Sequence, residues 1–396
     1  MTAMPKLCFS VTVLLLAAAA VLGYEPKFRK ITVTNQFNSE GAAAADFNND
    51  GVTDFVAGGA WYEGPDFKVS HKIYEGENFD PEGYSDSFVN FADDINGDGW
   101  TDVIACPFPG HQGYWYENPK TPGGEWIKHE SIKELGNESQ EWADVDGDGR
   151  ADLIFNQNGW YGFAKWDPAK AGEPWEFIPV SNENEKYFCF FHGVGHGDLN
   201  GDGRVDLLEM DGWWEQPENY RDVPWTFHPF KFSDAASNML VMDVNGDGLN
   251  DVVTPLHCHL YGLAWYKQVR GDNGEITFEK NVLIPADPDD GFFPKVSQLH
   301  SMAAADFNGD GVTDFVTGKR WWAHGSKGDV NPNDPAILMW WEVRPAGDET
   351  EVIPHIIDED SGVGTQVWTS DMNKDGRPDV LVSNKKGIFV FLSEKE

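Results

Sequence analysis

The sequence predicts an all-β protein built from seven copies of a four-stranded unit. Three observations support this prediction: an acidic nonapeptide that recurs seven times, short β-type runs around each copy, and abundant turn-forming residues. The 396 residues include 42 glycines and 23 prolines, and 40% of the chain is hydrophobic. Such a composition supplies a large core and favours many turns over long helices.

The recurring nonapeptide has the pattern D-x-[DN]-x-D-G-x-x-D. Residues 46–54 read DFNNDGVTD, and residues 306–314 read DFNGDGVTD. The copies start 48, 50, 54, 45, 63 and 65 residues apart, at Asp46, Asp94, Asp144, Asp198, Asp243, Asp306 and Asp371. Similarity at such intervals indicates an array of structural repeats. We name these nonapeptides the acidic loops and count them from one to seven along the chain.

The acidic loops have the ligand spacing of a calcium site. Oxygens at positions 1, 3, 5 and 9, with the carbonyl at position 7, can surround a hard cation, and glycine at position 6 permits the turn. A helix-flanked calcium loop also needs Glu at position 12, which only the fourth copy has, in Glu209. We expect about seven structural Ca²⁺ sites. The expected side-chain ligands are Asp46, Asn48, Asp50, Asp54, Asp94, Asn96, Asp98, Asp102, Asp144, Asp146, Asp148, Asp152, Asp198, Asn200, Asp202, Asp206, Asp243, Asn245, Asp247, Asp251, Asp306, Asn308, Asp310, Asp314, Asp371, Asn373, Asp375 and Asp379.

Four β-type segments surround each acidic loop. In the first unit the small-residue run GAAAAD precedes the loop, and DFVAGG, AWYEGP and FKVSHKIYEG follow. Four strands repeated seven times predict a seven-bladed β-propeller with calcium loops between strands one and two. The seventh unit has only DVLVSN and GIFVFL after its loop. The segment FRKITVTNQF resembles the missing strand, so residues 28–36 are expected to complete the last blade.

The amino terminus and the charge indicate where such a protein works. Residues 1–23 combine one lysine, an uncharged run and small residues, which is typical of an export signal, with an uncleaved anchor as the alternative. We expect residues 24–396 to form a secreted or periplasmic propeller without a membrane span after cleavage. The net charge of −37 disfavours nucleic acid and anionic lipid as partners. The odd number of cysteines in residues 24–396, Cys106, Cys189 and Cys258, argues against a disulfide framework. A single disulfide between two of them is the alternative.

The acidic loops and their spacing resemble the FG-GAP or VCBS-type seven-bladed propellers, as in the head of integrin α subunits and many exported bacterial proteins. The resemblance covers nearly all of residues 24–396. It implies that the loops hold calcium on the lower face of the propeller. It also implies that a carbohydrate or an extracellular protein would bind the opposite, upper face.

The histidines fall into two main groups. Four lie in fourth strands, where a repeated position indicates packing or a hydrogen bond at the blade edge; they are His71, His129, His228 and His355. Six others begin a first strand or follow a second strand, which places them at the end of a blade opposite the acidic loops. They are His111, His192, His257, His259, His300 and His324. His196, two residues before the fourth loop, is expected to be structural.

Several upper histidines come from consecutive blades, so their side chains are expected to converge. Neutral imidazoles with a carboxylate can hold Zn²⁺ or another divalent metal and leave a position for substrate. We expect His192, His259 and His300 as ligands and His324 as ligand or base. Glu40 and Glu138 are the expected catalytic carboxylates. A polar rim without a metal is the alternative interpretation.

Aromatic and basic residues in the same upper connections are candidates for substrate binding. They are Trp213, Trp214, Tyr261, Lys319, Arg320 and Trp321. Wide aromatic faces suit sugar rings, and the cations could receive a carboxylate or hydroxyl groups. Packing between blades is the alternative for the aromatic side chains.

Three longer segments carry a closer resemblance, namely FHGVGHGDLNGDGR with GWWEQP, GLAWYKQ, and LHSMAAADFNGDG with GKRWWAHG. They look like exported VCBS-repeat proteins of carbohydrate-degrading bacteria and like the propeller domain of the aldos-2-ulose dehydratase family. That family dehydrates keto sugars such as 1,5-anhydrofructose with zinc in a propeller cleft, and its cupin and lectin domains have no counterpart here. The resemblance implies a metal-dependent lyase or dehydratase. The alternative is a non-catalytic propeller that binds a glycan or a protein.

Overall fold

A computed structural model gives the fold of residues 23–395, so the expected export signal lies outside the described residues except for Gly23. The described part contains 28 β-strands. In chain order they are β1 (Lys27–Thr34), β2 (Ala43–Ala45), β3 (Asp54–Ala57), β4 (Ala60–Tyr62), β5 (Ser70–Lys72), β6 (Val89–Asp93), β7 (Asp102–Cys106), β8 (Tyr114–Glu117), β9 (Ile127–Glu130), β10 (Glu141–Ala143), β11 (Asp152–Gln157), β12 (Trp160–Lys165), β13 (Glu176–Pro179), β14 (Val194–Gly197), β15 (Asp206–Glu209), β16 (Gly212–Glu215), β17 (Thr226–Pro229), β18 (Asn238–Met242), β19 (Asp251–Pro255), β20 (Leu263–Arg270), β21 (Ile276–Ile284), β22 (Leu299–Ala305), β23 (Asp314–Lys319), β24 (Leu338–Arg344), β25 (Glu351–Asp358), β26 (Val367–Ser370), β27 (Asp379–Asn384) and β28 (Gly387–Glu394). One short helix, α1 (Gly325–Gly328), and two 3-10 turns, Pro168–Lys170 and Gly347–Glu349, complete the secondary structure of this part. No helix among these residues is long and apolar enough to cross a membrane.

The strands form five four-stranded sheets and one eight-stranded sheet. The four-stranded sheets are β2–β5, β6–β9, β10–β13, β22–β25, and β26–β28 with β1. In the eight-stranded sheet two antiparallel sets, β14–β17 and β18–β21, are joined because β14 pairs in parallel with β18. The expected all-β propeller arrangement with four-stranded blades is thus confirmed, whereas seven separate blades are not seen, because only five of the sheets are separate blades.

Glycines explain why two first strands pair directly in the eight-stranded sheet. Val194 and Gly195 lie opposite Asn238 and Met239 in the parallel register. A Cβ atom on Gly195 would lie 2.4 Å from the Met239 carbonyl oxygen, which no side chain tolerates. The sequence VGHG therefore lets β14 come close enough to β18 for backbone hydrogen bonds.

The first described strand lies in the last sheet. β1 pairs antiparallel with β28, from Lys27 opposite Glu394 to Thr34 opposite Ile388, and it forms the outer edge of that sheet. The first strands of the units also contact one another in sequence, from β10 through β14, β18 and β22 to β26, and then on to β2 and β6. The first and last described strands therefore lie side by side in one sheet.

Each acidic loop joins the first and second strands of its unit, as expected from the sequence. In loop one, the Gly51 N–H donates to Asp46 Oδ2 at 2.7 Å, and the Phe47 N–H donates to Asp54 Oδ2 at 3.0 Å. The glycine at position 6 has a left-handed backbone in all seven loops, with φ between 81° and 88°. A side chain at this position would strain the turn, which explains the repeated glycine.

Four blades share a stack of tryptophan on histidine that ends in a glutamate. His71, His129, His228 and His355 each place Nε2 2.7 to 3.0 Å from a Glu carboxylate. Each ring also stacks on a tryptophan of the neighbouring strand at 4.1 to 4.4 Å. The expectation of packing and blade-edge hydrogen bonding is confirmed for all four histidines.

A substitution in this stack should destabilise the fold. His129→Ala removes both the bond to Glu117 and the contact with Trp115, so we expect the free energy of unfolding to fall by about 1 to 2 kcal/mol. Urea denaturation measures the change. His111→Ala is the matched control, because His111 is exposed, and a change below about 0.5 kcal/mol is expected there. Equal effects of the two substitutions would contradict a structural role for the stack.

Candidate functional site

A cluster of histidines lies at the end of the blades opposite the acidic loops. His192 precedes β14 and His300 is the second residue of β22, while loops four and six follow the other ends of these strands. Cys258 and His259 follow β19, which begins at the end of loop five. Strand direction therefore brings side chains from three consecutive units to one face, which we call the upper face.

Four of these side chains converge on one point. His192, Cys258, His259 and His300 each offer one potential ligand atom, and these atoms all lie within 4.8 Å of one another. The two Nε2 atoms of His192 and His259 are 3.0 Å apart. The ring of His300 lies 5.5 Å from that of His192 and 5.1 Å from that of His259. The expected convergence of His192, His259 and His300 is present in the structure, and Cys258 joins them.

The hydrogen bonds of the rings leave nitrogen lone pairs that a metal could use. The Nδ1–H of His192 donates to the Phe190 carbonyl at 2.7 Å, which leaves the lone pair on Nε2. Among the described residues, the buried Nδ1 atoms of His259 and His300 have no hydrogen-bond partner. Buried polar atoms rarely stay unsatisfied, and such orphans are expected where an ion or ligand binds.

Burial sets the protonation of the cluster. It lowers the pKa of His192 and His259 below the ordinary histidine value, and it lowers the pKa of His300 to about 4. All three imidazoles are therefore neutral at pH 7, which is the form that binds a metal. Burial also raises the pKa of the Cys258 thiol well above its usual value. A metal would have to displace the thiol proton to bind this sulfur.

Beneath the cluster lies a buried ion network centred on Arg320. Its Nη1–H donates to Glu138 Oε2 at 2.7 Å and lies 3.0 Å from His300 Nε2, and its Nη2–H donates to Glu40 Oε1 at 3.1 Å. Arg320 is 2% exposed, so it cannot meet a substrate in solution as the sequence suggested. Its place in the fold is to hold two carboxylates together below His300.

The two carboxylates respond differently to burial. Burial alone would raise the pKa of Glu138, but Arg320 and His300 hold it well below the ordinary value. In Glu40 burial outweighs the attraction of Arg320 and Lys385, and the pKa is raised. Glu138 Oε2 also lies 3.4 Å from His300 Nε2, so this carboxylate can orient the His300 ring.

His324 is the accessible member of the predicted catalytic set. Its side chain is 49% exposed, its ring lies 4.6 Å from the His259 ring, and its Nδ1 is 3.5 Å from Asp329 Oδ1. Asp329 also accepts the backbone N–H groups of Ala323 and His324, which fixes the connection. His324 thus stands at the mouth of the cluster, whereas Glu40 and Glu138 lie beneath it.

The structure separates the residues predicted to bind substrate. Trp213 and Trp214 are 2% and 7% exposed in β16, where they pack in two hydrophobic clusters, so the packing alternative accounts for both. Lys319 is also buried, and its Nζ donates to Ser297 Oγ at 2.8 Å. Tyr261 bonds to Asn331. Trp321 is half-buried, and it stacks on Trp322 at 4.0 Å.

Two of the remaining histidines lie outside the cluster. The exposed His111 contacts Phe108 in the second unit. His196 lines a cavity of about 330 Å³ among the first strands, and burial lowers its pKa to about 4. Neither side chain belongs to the group of converging ligand atoms.

Sequence reasoning missed two features of the upper face. Cys258 was weighed only as a disulfide partner, although all three cysteines of the described part are free thiols and HCH at residues 257–259 was the available signal. An arc of aromatic side chains, Tyr84, Phe108, Phe188 and Phe190, also extends from the cluster, with successive ring contacts of 5.1 to 6.4 Å. Tyr84, Phe188 and Phe190 are 39%, 56% and 36% exposed.

The chemistry of the acidic loops fits a divalent cation. Burial raises the pKa of the Asp at position 9, to about 6 in Asp54 and Asp251 and to about 8 in Asp152. In the four other loops the value is about 7. The carboxylates at positions 1 and 5 lie close enough to repel this group in loop one. A bound cation would keep these acids ionised at neutral pH.

Comparison with known proteins found one matching family model and several similar solved structures. A family model described as an FG-GAP-like repeat matches residues 94–155. A lectin from Agrocybe aegerita that recognises non-reducing terminal N-acetylglucosamine is similar at 15% identity and a TM-score of 0.49, over 94% of this chain and 86% of the lectin. Rhamnogalacturonan lyase YesW is similar at 12% identity and a TM-score of 0.46, over 92% of this chain and 72% of the lyase.

A third solved structure, the Photorhabdus luminescens Tc holotoxin pore, is similar at 17% identity and a TM-score of 0.40. The match covers 77% of this chain and 14% of the toxin chain. No curated protein matches the chain. The chain therefore contains an FG-GAP-like repeat within a β-propeller arrangement.

Proposed function

We propose that this protein is an exported, calcium-stabilised propeller that acts on carbohydrate through a divalent-metal site on its upper face. The reaction proposed is a lyase or dehydratase reaction on a keto sugar. The observation that carries the proposal is the convergence of His192, Cys258, His259 and His300 within 4.8 Å of one another. Three neutral imidazoles and a thiol are a ligand set that Zn²⁺ accepts.

One pair of ligand atoms in the cluster has nearly the spacing of a tetrahedral site. With Zn–N bonds of about 2.0 to 2.1 Å, two imidazole nitrogens on one ion stand roughly 3.3 Å apart. The Nε2 atoms of His192 and His259 are 3.0 Å apart, so a small rotation of either ring suffices. Three ligands from this set would leave a coordination position for substrate.

A metal in this site would supply Lewis acidity that polarises the sugar carbonyl and acidifies the adjacent C–H. His324 is placed to take the proton of that C–H, because it is exposed at the mouth of the cluster and its Nδ1 lies 3.5 Å from Asp329 Oδ1. The β-hydroxyl group of the sugar would then leave with that proton as water. Arg320 and Glu138 act from below as positioning residues for His300. The aromatic arc offers apolar faces against which a sugar ring can stack.

Metal content tests the site directly. After mild chelation and reloading with Zn²⁺, the wild type is expected to retain one zinc per chain in elemental analysis. The His192→Ala, His300→Ala double variant is expected to retain none, because only one imidazole and the thiol remain. His111→Ala, which alters an exposed histidine outside the cluster, should retain one. Equal zinc content in the double variant and the wild type would contradict the proposed metal site.

A second candidate function is supported by a different observation, the exposed aromatic arc. The exposed aromatic arc could bind a glycan without chemistry, as the non-catalytic alternative requires. Incubating zinc-loaded protein with a panel of keto sugars and recording enone absorbance separates the two functions. Absorbance that appears with wild type and disappears with His324→Ala supports the dehydratase. Binding of a sugar without absorbance, and its loss in Phe190→Ala, supports the binding protein.

We also propose that the units close into one seven-bladed ring within residues 24–396. The eight-stranded sheet then counts as two blades, because each half repeats the four-stranded unit around one acidic loop. The pairing of β1 with β28 and the contact of β26 with β2 support closure. Calcium loops of extracellular proteins need the high calcium concentrations found outside the cell. Export through residues 1–23 would bring the protein to such concentrations.

A further inference from the structure

The third acidic loop differs from the other six. Its position 3 is Asp146, whereas every other copy has Asn there. Among the acidic loops, only its side chains at positions 1, 3 and 9 form a group of three acids that converge within 4.8 Å. A cation of the protein itself already bonds the acid at position 3 of this loop.

Lys165 supplies that cation. The residue ends β12, and its Nζ donates to Asp146 Oδ2 and, at 2.9 Å, to Asp148 Oδ2. Asp146 is 2% exposed and Lys165 is 13% exposed, so the pair is largely shielded from water. Positions 3 and 5 are two of the side-chain ligands that a calcium ion needs in such a loop. An ammonium bonded to both occupies the coordination space and repels a divalent cation.

The repeat shows that Lys165 is a departure from the pattern of the chain. Lys165 follows Ala164 on β12. Ala164 pairs with Leu153, the first residue after the third acidic loop. In four other units a glutamate occupies the position that Lys165 has in the third unit. These residues are Glu63, Glu117, Glu215 and Glu342. Each of those glutamates bonds the histidine of the Trp–His–Glu stack.

The third unit lacks this stack, and the position of the glutamate is occupied by Lys165. Phe163 pairs with Ile178 where the four units that contain the stack pair tryptophan with histidine. Lys165 therefore has no histidine to bond, and it reaches the acidic loop instead. Lys267 holds the same repeat position in the fifth unit, but its ammonium bonds Asp348, outside the acidic loops.

We propose that Lys165 replaces calcium in the third acidic loop, so that six of the seven loops bind Ca²⁺. This inference rests on the proposed calcium role of the other loops. The ammonium balances the extra carboxylate of Asp146, and the loop keeps its shape without a metal. Calcium depletion would then loosen the other six loops before it affects the third.

Native mass spectrometry in excess Ca²⁺ counts the bound ions. The wild type is expected to hold six calcium ions, and Lys165→Gln is expected to hold seven, because loop three regains its space and keeps four carboxylates. Lys267→Gln is the matched control and should hold six. Seven ions in the wild type, or six in Lys165→Gln, would overturn the replacement while leaving the proposed calcium role intact.

The wild-type count alone still decides between six and seven if Lys165→Gln does not fold. A wild type without any bound calcium would overturn both the replacement and the calcium role. A second readout follows the loop itself. At a calcium concentration that partly empties the loops while circular dichroism still shows a folded chain, backbone hydrogen exchange at residues 144–152 should change less than tenfold, whereas exchange at residues 306–314 should rise more than tenfold. Equal increases in the two loops would contradict the inference.

Discussion

Replacing Arg320 with methionine is expected to lower the free energy of unfolding by about 3 to 5 kcal/mol. The guanidinium lies in the interior, and two of its hydrogen bonds join Glu138 and Glu40, which come from distant parts of the chain. Methionine fills much of the volume but leaves two buried carboxylates without a cation. Urea denaturation followed by tryptophan fluorescence measures the loss.

The charge dependence of this effect can be isolated. A triple variant that combines Arg320→Met with Glu40→Gln and Glu138→Gln removes all three charges, and most of the lost stability should return. Arg320→Lys keeps the charge but not the planar fork, so it should lie between methionine and wild type. An Arg320→Met variant that unfolds at the wild-type urea concentration would contradict the role assigned to the network.

The pH dependence of the network follows from Glu138. Because its folded-state pKa lies well below the usual value, its ion pair contributes stability above a pH of about 4.5, and that stability is lost as the pH falls through the depressed pKa. The difference between wild type and Arg320→Met should therefore be large at neutral pH. It should shrink in acid, where the variant's carboxylates take up protons.

Removing calcium is expected to have the largest effect on stability. Each site that is filled at 100 times its dissociation constant contributes about 2.7 kcal/mol. Six such sites together exceed the net stability of about 5 to 15 kcal/mol that is typical of a folded protein. Excess EGTA should therefore unfold most of the chain at room temperature, and circular dichroism would record the loss of β-structure.

Two comparisons show whether this effect comes from the loops. Adding Mg²⁺ in place of Ca²⁺ should not restore the fold, because Mg²⁺ requires a tighter octahedral shell. Replacing Asp306 and Asp310 by asparagine should remove one site, and it should lower stability by only a fraction of the effect of EGTA. A chelated protein with an unchanged melting temperature would exclude a structural role for calcium in the loops.

The repeat is the part of the fold that sequence reasoning reached. The spacing of the acidic loops, the small first strands and the aromatic third strands are local patterns, and local patterns repeat in the sequence as they repeat in the blades. The strand at residues 28–36 was inferred from a missing partner, and β1 pairs with β28 as that inference requires. The direct pairing of β14 with β18 was missed, because it depends on how two glycine-containing strands approach each other.

Part of the upper site followed from the same reasoning. Strand direction and blade order were enough to bring His192, His259 and His300 together, and the structure places their rings 4.8 to 5.5 Å apart. Burial was the information that the sequence lacked. Arg320 and Trp213 were assigned to substrate because their residue types suit it, yet both side chains lie in the interior.

The sequence by itself determined the four-stranded unit, the number of acidic loops in the chain and the face on which the histidines meet. Each of these follows from patterns that repeat along the chain. Only the tertiary structure decided which side chains reach one point. It shows that Cys258 lies with the histidines, that Glu40 and Glu138 both bond Arg320, and that Lys165 bonds Asp146. These contacts join residues from different units or strands. They depend on side-chain burial and direction, which no pattern along the chain records.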